Sequence, residues 1–203
     1  MLRKHEESYR LLRETHHLSI TQLSEILSLE NVTQSFAKQL SLVSSRGVSK
    51  VWITLADESC YGLPYLPVSG KVLDIGSGNG IPGLVWAVLR PNLQFVLADH
   101  VNKKAQALES IRRECNLTNV LIYPSDVQTI NNQQFDVITA RAVAPFPVLW
   151  EWTTQCRKVG TRYLLFRGSD ELQANRDHPS QIKEIATIPA GRIKLWVGDV
   201  DVG

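Results

Sequence analysis

Lys71-Val-Leu-Asp-Ile-Gly-Ser-Gly-Asn-Gly-Ile-Pro-Gly83 decides how the rest of the chain is read. An apolar run carries one acid, Asp74, and then reaches glycines at 76, 78 and 80, with Pro82 where a helix would begin. Glycines permit a tight turn and let a ligand approach the backbone closely. Proline is tolerated in the first turn of a helix, whose leading amides have no intrahelical partner. The order strand, glycine loop, helix is that of a ligand-binding turn in an α/β protein.

Outward from that turn, short apolar runs alternate with amphipathic stretches. Val72–Ile75 is followed by a helix from about Ile81 to Leu89, then Leu93–Ala98, then a helix from about Asn102 to Cys115. Val120–Tyr123, Phe135–Thr139, a helix from about Pro147 to Arg157, and Arg162–Phe166 continue the series. This alternation predicts βαβ units in an α/β, doubly wound and mostly parallel sheet. Ile182–Ile188 and Arg192–Val197 flank Pro189-Ala190-Gly191, which predicts an antiparallel hairpin at the sheet edge. Before the first strand, Leu11, Leu12, Leu18, Leu23, Ile26, Leu27, Leu29, Phe36, Leu40 and Val43 recur at helical steps. Two or three short helices are expected there, with Ser19 or Thr21 and Asn31 or Thr33 as N-caps and Gly47 as a stop. Residues 48–69, with Gly62, Pro64 and Pro67, read as a connector holding at most one more helical turn. The expected division is a helical extension over 1–69 and a cofactor-binding domain over 70–203.

Composition narrows the class. The 203 residues suit one domain plus an extension, and 43% hydrophobic with 21% charged is an ordinary globular balance. Twenty-two basic against 20 acidic residues give +2, which excludes a histone-like mode of binding by bulk charge. No run approaches the ~20 apolar residues of a membrane span, and the N-terminus is too charged for a signal peptide core. Cys60, Cys115 and Cys156 form no Cys-x-x-Cys pair, which points to a reducing cytoplasm and to no metal site. The expectation is a soluble cytoplasmic protein.

Two cofactors compete for the glycine loop. From Gly78, Gly-Asn-Gly-Ile-Pro-Gly satisfies the dinucleotide pattern. A carboxylate just before the loop would repel a pyrophosphate, whereas S-adenosylmethionine (AdoMet) carries an ammonium and a sulfonium that Asp74 can attract. Asp99, about 20 residues past the loop, can accept ribose hydroxyls from either cofactor and does not discriminate. The charge of Asp74 favours AdoMet, held by Asp74, Gly76, Ser77, Gly78, Gly80 and Asp99. A glycine-rich turn with two incidental acids is the bland alternative. After the third strand, Asp126 or Gln128 is expected near the adenine amino group and Val127 against its face. Asp126 could equally cap the short helix that follows.

Several further segments carry a family resemblance: Leu73 through Gly83, Arg90-Pro91, Leu97-Ala-Asp99 with Lys103-Lys104, Leu117-Thr-Asn-Val120, Ser125, Phe135-Asp136, Ala140-Arg-Ala142 and Arg167-Gly168. In these the chain resembles the bacterial ribosomal RNA small subunit methyltransferase G family, also called glucose-inhibited division protein B, over roughly residues 70–168. The resemblance implies a class I AdoMet-dependent, Rossmann-like methyltransferase acting on guanine N7 in 16S rRNA. It implies Arg141 at the transfer site and Arg167 facing the RNA. The chain departs from the family pattern with Asp126 in place of an arginine and Val143 in place of a phenylalanine. The family's His-Leu-Leu-Asp-Ser has a faint echo at Thr54-Leu-Ala-Asp-Glu-Ser59.

The chemistry agrees with that implication. Guanine N7 holds a lone pair and loses no proton, so methyl transfer needs alignment rather than a general base. An arginine fork suits guanine O6 or a phosphate, although Arg141 could instead tether a loop to a carboxylate. An Asn/Asp-Pro-Pro-aromatic turn, typical for exocyclic amines, is replaced here by Ala140-Arg-Ala-Val-Ala-Pro145. Cys115 and Cys156 lack the Pro-Cys context of a pyrimidine C5 nucleophile. Of the histidines, only His100, beside Asp99, could touch the cofactor. Arg141, Arg157, Lys158, Arg162 and Arg167 face Glu151 alone within their stretch, which predicts a basic rim for 16S rRNA or the small subunit. Lys103, Lys104, Arg112 and Arg113 could join that rim or simply form a solvated helix face.

Overall fold

The computed structural model describes residues 2–39, 48–168, 183–187 and 193–200. Within them a seven-stranded sheet has the order β3-β2-β1-β4-β5-β7-β6. The strands are β1 (Gly70–Ile75), β2 (Leu93–Ala98), β3 (Val120–Tyr123), β4 (Val137–Arg141), β5 (Arg162–Gly168), β6 (Lys183–Thr187) and β7 (Ile193–Asp199). β1 to β5 are parallel, and β7 pairs antiparallel with both β5 and β6. The expected edge hairpin is therefore present, with its second strand inserted against β5. Its Pro189-Ala190-Gly191 turn and the Gly47 stop lie outside the described residues.

The helices are α1 (Leu2–Thr15), α2 (Ile20–Gln39), α3 (Val48–Cys60), α4 (Gly83–Leu89), α5 (Asn102–Glu114) and α6 (Phe146–Trp152). Strand alternation splits the core in two. Val72, Phe95, Leu97, Val137, Leu164 and Phe166 face α4 and the N-terminal helices. Leu73, Val96, Ile138, Ala140, Tyr163 and Leu165 face Phe146 and Leu149 of α6. α4 is apolar nearly all round because the sheet lies on one side and α2 and α3 on the other. Its Trp86 is fully buried, and the indole N–H donates to the Ser59 carbonyl at 2.8 Å, which fastens the end of α3 to the sheet layer.

Three expectations need correction. Ser19 does cap α2, accepting from Gln22 N–H at 3.1 Å while Gln22 returns the bond to Ser19 N–H. Asn31 and Thr33 lie inside that single 20-residue helix and start nothing. Residues 48–60 form a full helix rather than a connector, and the Gly62 and Pro64 punctuation belongs to a 3-10 turn at Leu63–Tyr65 just beyond it. β4 begins two residues later than expected, so Arg141 is its last residue instead of following it. No helix among the described residues is long and apolar enough to cross a membrane.

Candidate functional site

Parallel pairing brings four strand ends to one edge. Ile75 pairs with Ala98 and with Ala140, and Ala98 pairs with Tyr123. Gly76, Asp99, the Ser125–Thr129 turn and Arg141 thus emerge side by side, at the carboxyl ends where α/β sheets bind ligands.

The loop after β1 is shaped by its acids. Gly76 has φ +61, and a Cβ there would meet Val143 Cγ2 at 2.7 Å. The β4 loop can lean on the glycine turn only because that side chain is missing. Ala142, at φ +52, reverses the chain so that Val143 arrives there. Asp74 is 1% exposed, and its Oδ2 accepts the Gly83 N–H at 3.0 Å at the start of α4. A Cβ on Gly83 would sit 2.6 Å from that oxygen, which is why the loop must end in glycine. Ser77 Oγ donates to the Asp74 carbonyl at 2.8 Å. Burial pushes the Asp74 carboxyl up to about 7, against its bonds from Gly83 and Ser77 and the charge of Arg141, with Asp99 adding to the rise.

Asp99 is 4% exposed and holds the loop from the other side. Its Oδ2 accepts Gly78 N–H and its Oδ1 accepts Val101 N–H, both at 2.9 Å. Ser77 N–H goes to the Ala98 carbonyl at 3.1 Å and Gly80 N–H to the Ser77 carbonyl at 2.7 Å. The loop amides at 77, 78 and 80 and the first amide of α4 are therefore all committed inside the protein. A pyrophosphate needs such donors free. A cation needs acceptors, and each carboxylate oxygen still has a lone pair to offer.

Asp126 caps the 3-10 turn Val127–Thr129, accepting Gln128 N–H at 3.0 Å, and its side chain is exposed. Val127 is buried at 5% and packs with the α6-side core. Burial holds the Cys60 thiol up at about 12 and the Cys156 thiol at about 11, so neither offers a thiolate. Among the described residues no group of three or more His, Cys, Asp or Glu could hold a metal.

Arg141 is tied more firmly than the sequence shows. Its Nη1 donates to Glu58 Oε2 of α3 at 2.5 Å, with the two side chains only 14% and 11% exposed. Nη2 reaches Ser59 Oγ at 3.4 Å, and the guanidinium carbon lies 4.4 Å from the Phe166 ring centroid. Burial lowers the Arg141 pKa, and Glu58 and Asp74 oppose that fall. The link between Glu58 and Arg141 is invisible in the sequence because 83 residues separate them, although the Trp52, Ile53, Ala56, Cys60 stripe marks the helix that carries Glu58.

Arg167 is placed differently. Being next to Phe166 on β5, it points to the opposite sheet face, and it is 3% exposed. The expected basic rim also disperses. Lys158 pairs with Asp136 at 2.7 Å and Arg162 with Asp199 at 2.7 Å, both at the amino edge. Arg157 stacks 3.8 Å over Trp150 and donates to its carbonyl. These partners are set by the tertiary fold and do not show in the local charge balance. Arg112 and Arg113 both hold Glu109, whereas Lys103 and Lys104, just past Asp99 in α5, have no ion pair among the described residues.

The family model for rRNA small subunit methyltransferase G (GidB) matches residues 22–188, which takes in α2 and α3 as well as the cofactor-binding core. The chain belongs to this family. A ribosomal RNA small subunit methyltransferase G of Neisseria gonorrhoeae is 30% identical over 74% of this chain and 73% of its own length. One of Beutenbergia cavernae is 32% identical over 57% of this chain; the match spans about half, 55%, of that relative. Among solved structures, a SAM-dependent O-methyltransferase of Thermotoga maritima superposes with a TM-score of 0.58 at 15% identity, covering 72% of this chain and 66% of that one. That likeness establishes the class I methyltransferase fold.

Proposed function

We propose that this chain is an AdoMet-dependent enzyme that methylates guanine N7 in the 16S rRNA of the small ribosomal subunit, in the cytoplasm. Family membership supports the reaction and substrate. The observation that carries the cofactor is Asp74 seated on the first amide of α4, where a dinucleotide would place its pyrophosphate. The residues present fit a doubly cationic ligand: two buried acids face an edge whose nearest amides are already used.

In this reading residues 70–203 carry the cofactor, and 1–69 close one face of the sheet. Asp74 attracts the ammonium and sulfonium, Gly76 and Gly78 present the accessible backbone of the turn to them, and the buried Ser77 and Gly80 hold its shape. Asp99 holds the loop and takes the ribose hydroxyls, while Asp126 and Val127 border the adenine. AdoMet, when bound, supplies an electrophilic methyl carbon. Arg141 would orient the guanine by its O6 or a flanking phosphate, which is the alignment that methyl transfer to N7 requires. Lys103 and Lys104 extend the RNA contact, because no carboxylate of the described residues pairs with them. Arg167 is buried and needs a side-chain rearrangement before it can meet phosphate.

Mass spectrometry of 16S rRNA nucleosides from cells with and without the gene tests this. Loss of one 7-methylguanosine, restored by the parental gene, is the expected result. An unchanged 7-methylguanosine content sends the enzyme to another substrate.

A further inference from the structure

Arg141 has five N–H donors, and a buried guanidinium is useful only where its direction is fixed. Three contacts fix it. Phe166 lies beneath its plane, Ser59 Oγ touches Nη2, and Glu58 holds Nη1 at 2.5 Å. Glu58 is the one charged partner of the three, and it is itself 8% exposed, on a helix outside the cofactor-binding strands. The Nε of Arg141 is buried without a hydrogen-bond partner among the described residues, so the protein spends one corner of the fork on Glu58 and leaves another unspent.

We infer that Glu58 is the positioning residue of the transfer site: it orients Arg141 toward the methyl acceptor, and α3 is part of the site rather than an accessory. The inference rests on the methyltransferase reading above. Asp74 and Asp99 do not touch Glu58 by hydrogen bond, so its effect falls on the methyl-transfer step and not on cofactor binding. α3 is held in place independently, through the Ser59 carbonyl on Trp86 and through Asp57, which takes a 2.8 Å bond from His16 of the turn after α1. Loss of the Glu58 charge therefore leaves the helix anchored.

The test is a double-mutant cycle in single-turnover methylation of small-subunit substrate, with AdoMet affinity measured by calorimetry on each variant. Glu58→Gln should slow the step by about 10-fold, the size of one charge-assisted bond, with AdoMet affinity unchanged. Glu58→Asp, which keeps the charge, should recover most of the rate. In an Arg141→Met background Glu58→Gln should change the rate less than about 2-fold, since nothing remains for it to position. Parental rate in Glu58→Gln, or an equal loss with and without Arg141, overturns the inference. A parental protein that binds AdoMet but methylates no small-subunit RNA overturns the substrate reading, and this inference with it.

Discussion

The two edges of the sheet use the same residue types to opposite effect. At the amino edge, Lys158–Asp136 and Arg162–Asp199 are ion pairs with side chains 34–48% exposed, each satisfied and each between neighbours of the sheet. At the carboxyl edge, Asp74 and Asp99 are 1% and 4% exposed, and the Arg141–Glu58 pair is nearly as dry. Exposed pairs contribute little because water competes for both partners. Taking acids out of water costs desolvation, and at Asp74 that burial pushes the carboxyl up. The site is recognised by where charge has been taken out of water, not by where charge is densest in the sequence.

That contrast can be broken by substitution on either edge. The largest effect is expected from Asp99→Ala, which frees the Gly78 and Val101 amides and removes the ribose acceptor. AdoMet should weaken by about 1–3 kcal/mol in calorimetry; unchanged affinity in a folded variant places the ribose elsewhere. Next comes Arg141→Lys, which keeps the charge but loses the planar fork. Single-turnover methylation should fall at least ~10-fold with cofactor affinity nearly constant. A parental rate makes Arg141 a tether of α3 and no more. The smallest effect belongs to the amino edge: Lys158→Ala should cost less than ~1 kcal/mol in denaturant unfolding and leave methylation unchanged.

Much of this arrangement is written locally and is legible for that reason. β2 and β3 end where their apolar runs end, and α5 runs within one residue of its expected span. The glycine loop is legible because Asp74 and its glycines are sequence neighbours. α3 is not, since the Gly62 and Pro64 signals directly after it suggested a connector, and its partner surface on Trp86 forms only in the tertiary structure. The basic stretch from Arg141 to Arg167 misleads for a related reason. It runs from one edge of the sheet to the other and back, so neighbours in sequence serve different edges. Arg141, the last residue of β4, pairs with Phe166, so Arg167 lies one register row further along β5 and faces the opposite side.

The cofactor claim is tested most directly by calorimetry of AdoMet and NADH across pH, on the parental protein and Asp74→Asn. Asp74 has its folded pKa raised to about 7 by burial, so the folded chain holds more protons than the unfolded one between about pH 4 and 7. Stability without ligand should therefore fall as pH rises through that window, while the ionised carboxylate that attracts a cation becomes populated. AdoMet affinity should accordingly rise from about pH 5.5 to about pH 7.5, the Asp74→Asn variant should bind more weakly with a flat profile, and NADH should give no heat. NADH binding without an AdoMet signal, or an AdoMet profile unchanged by Asp74→Asn, contradicts the account.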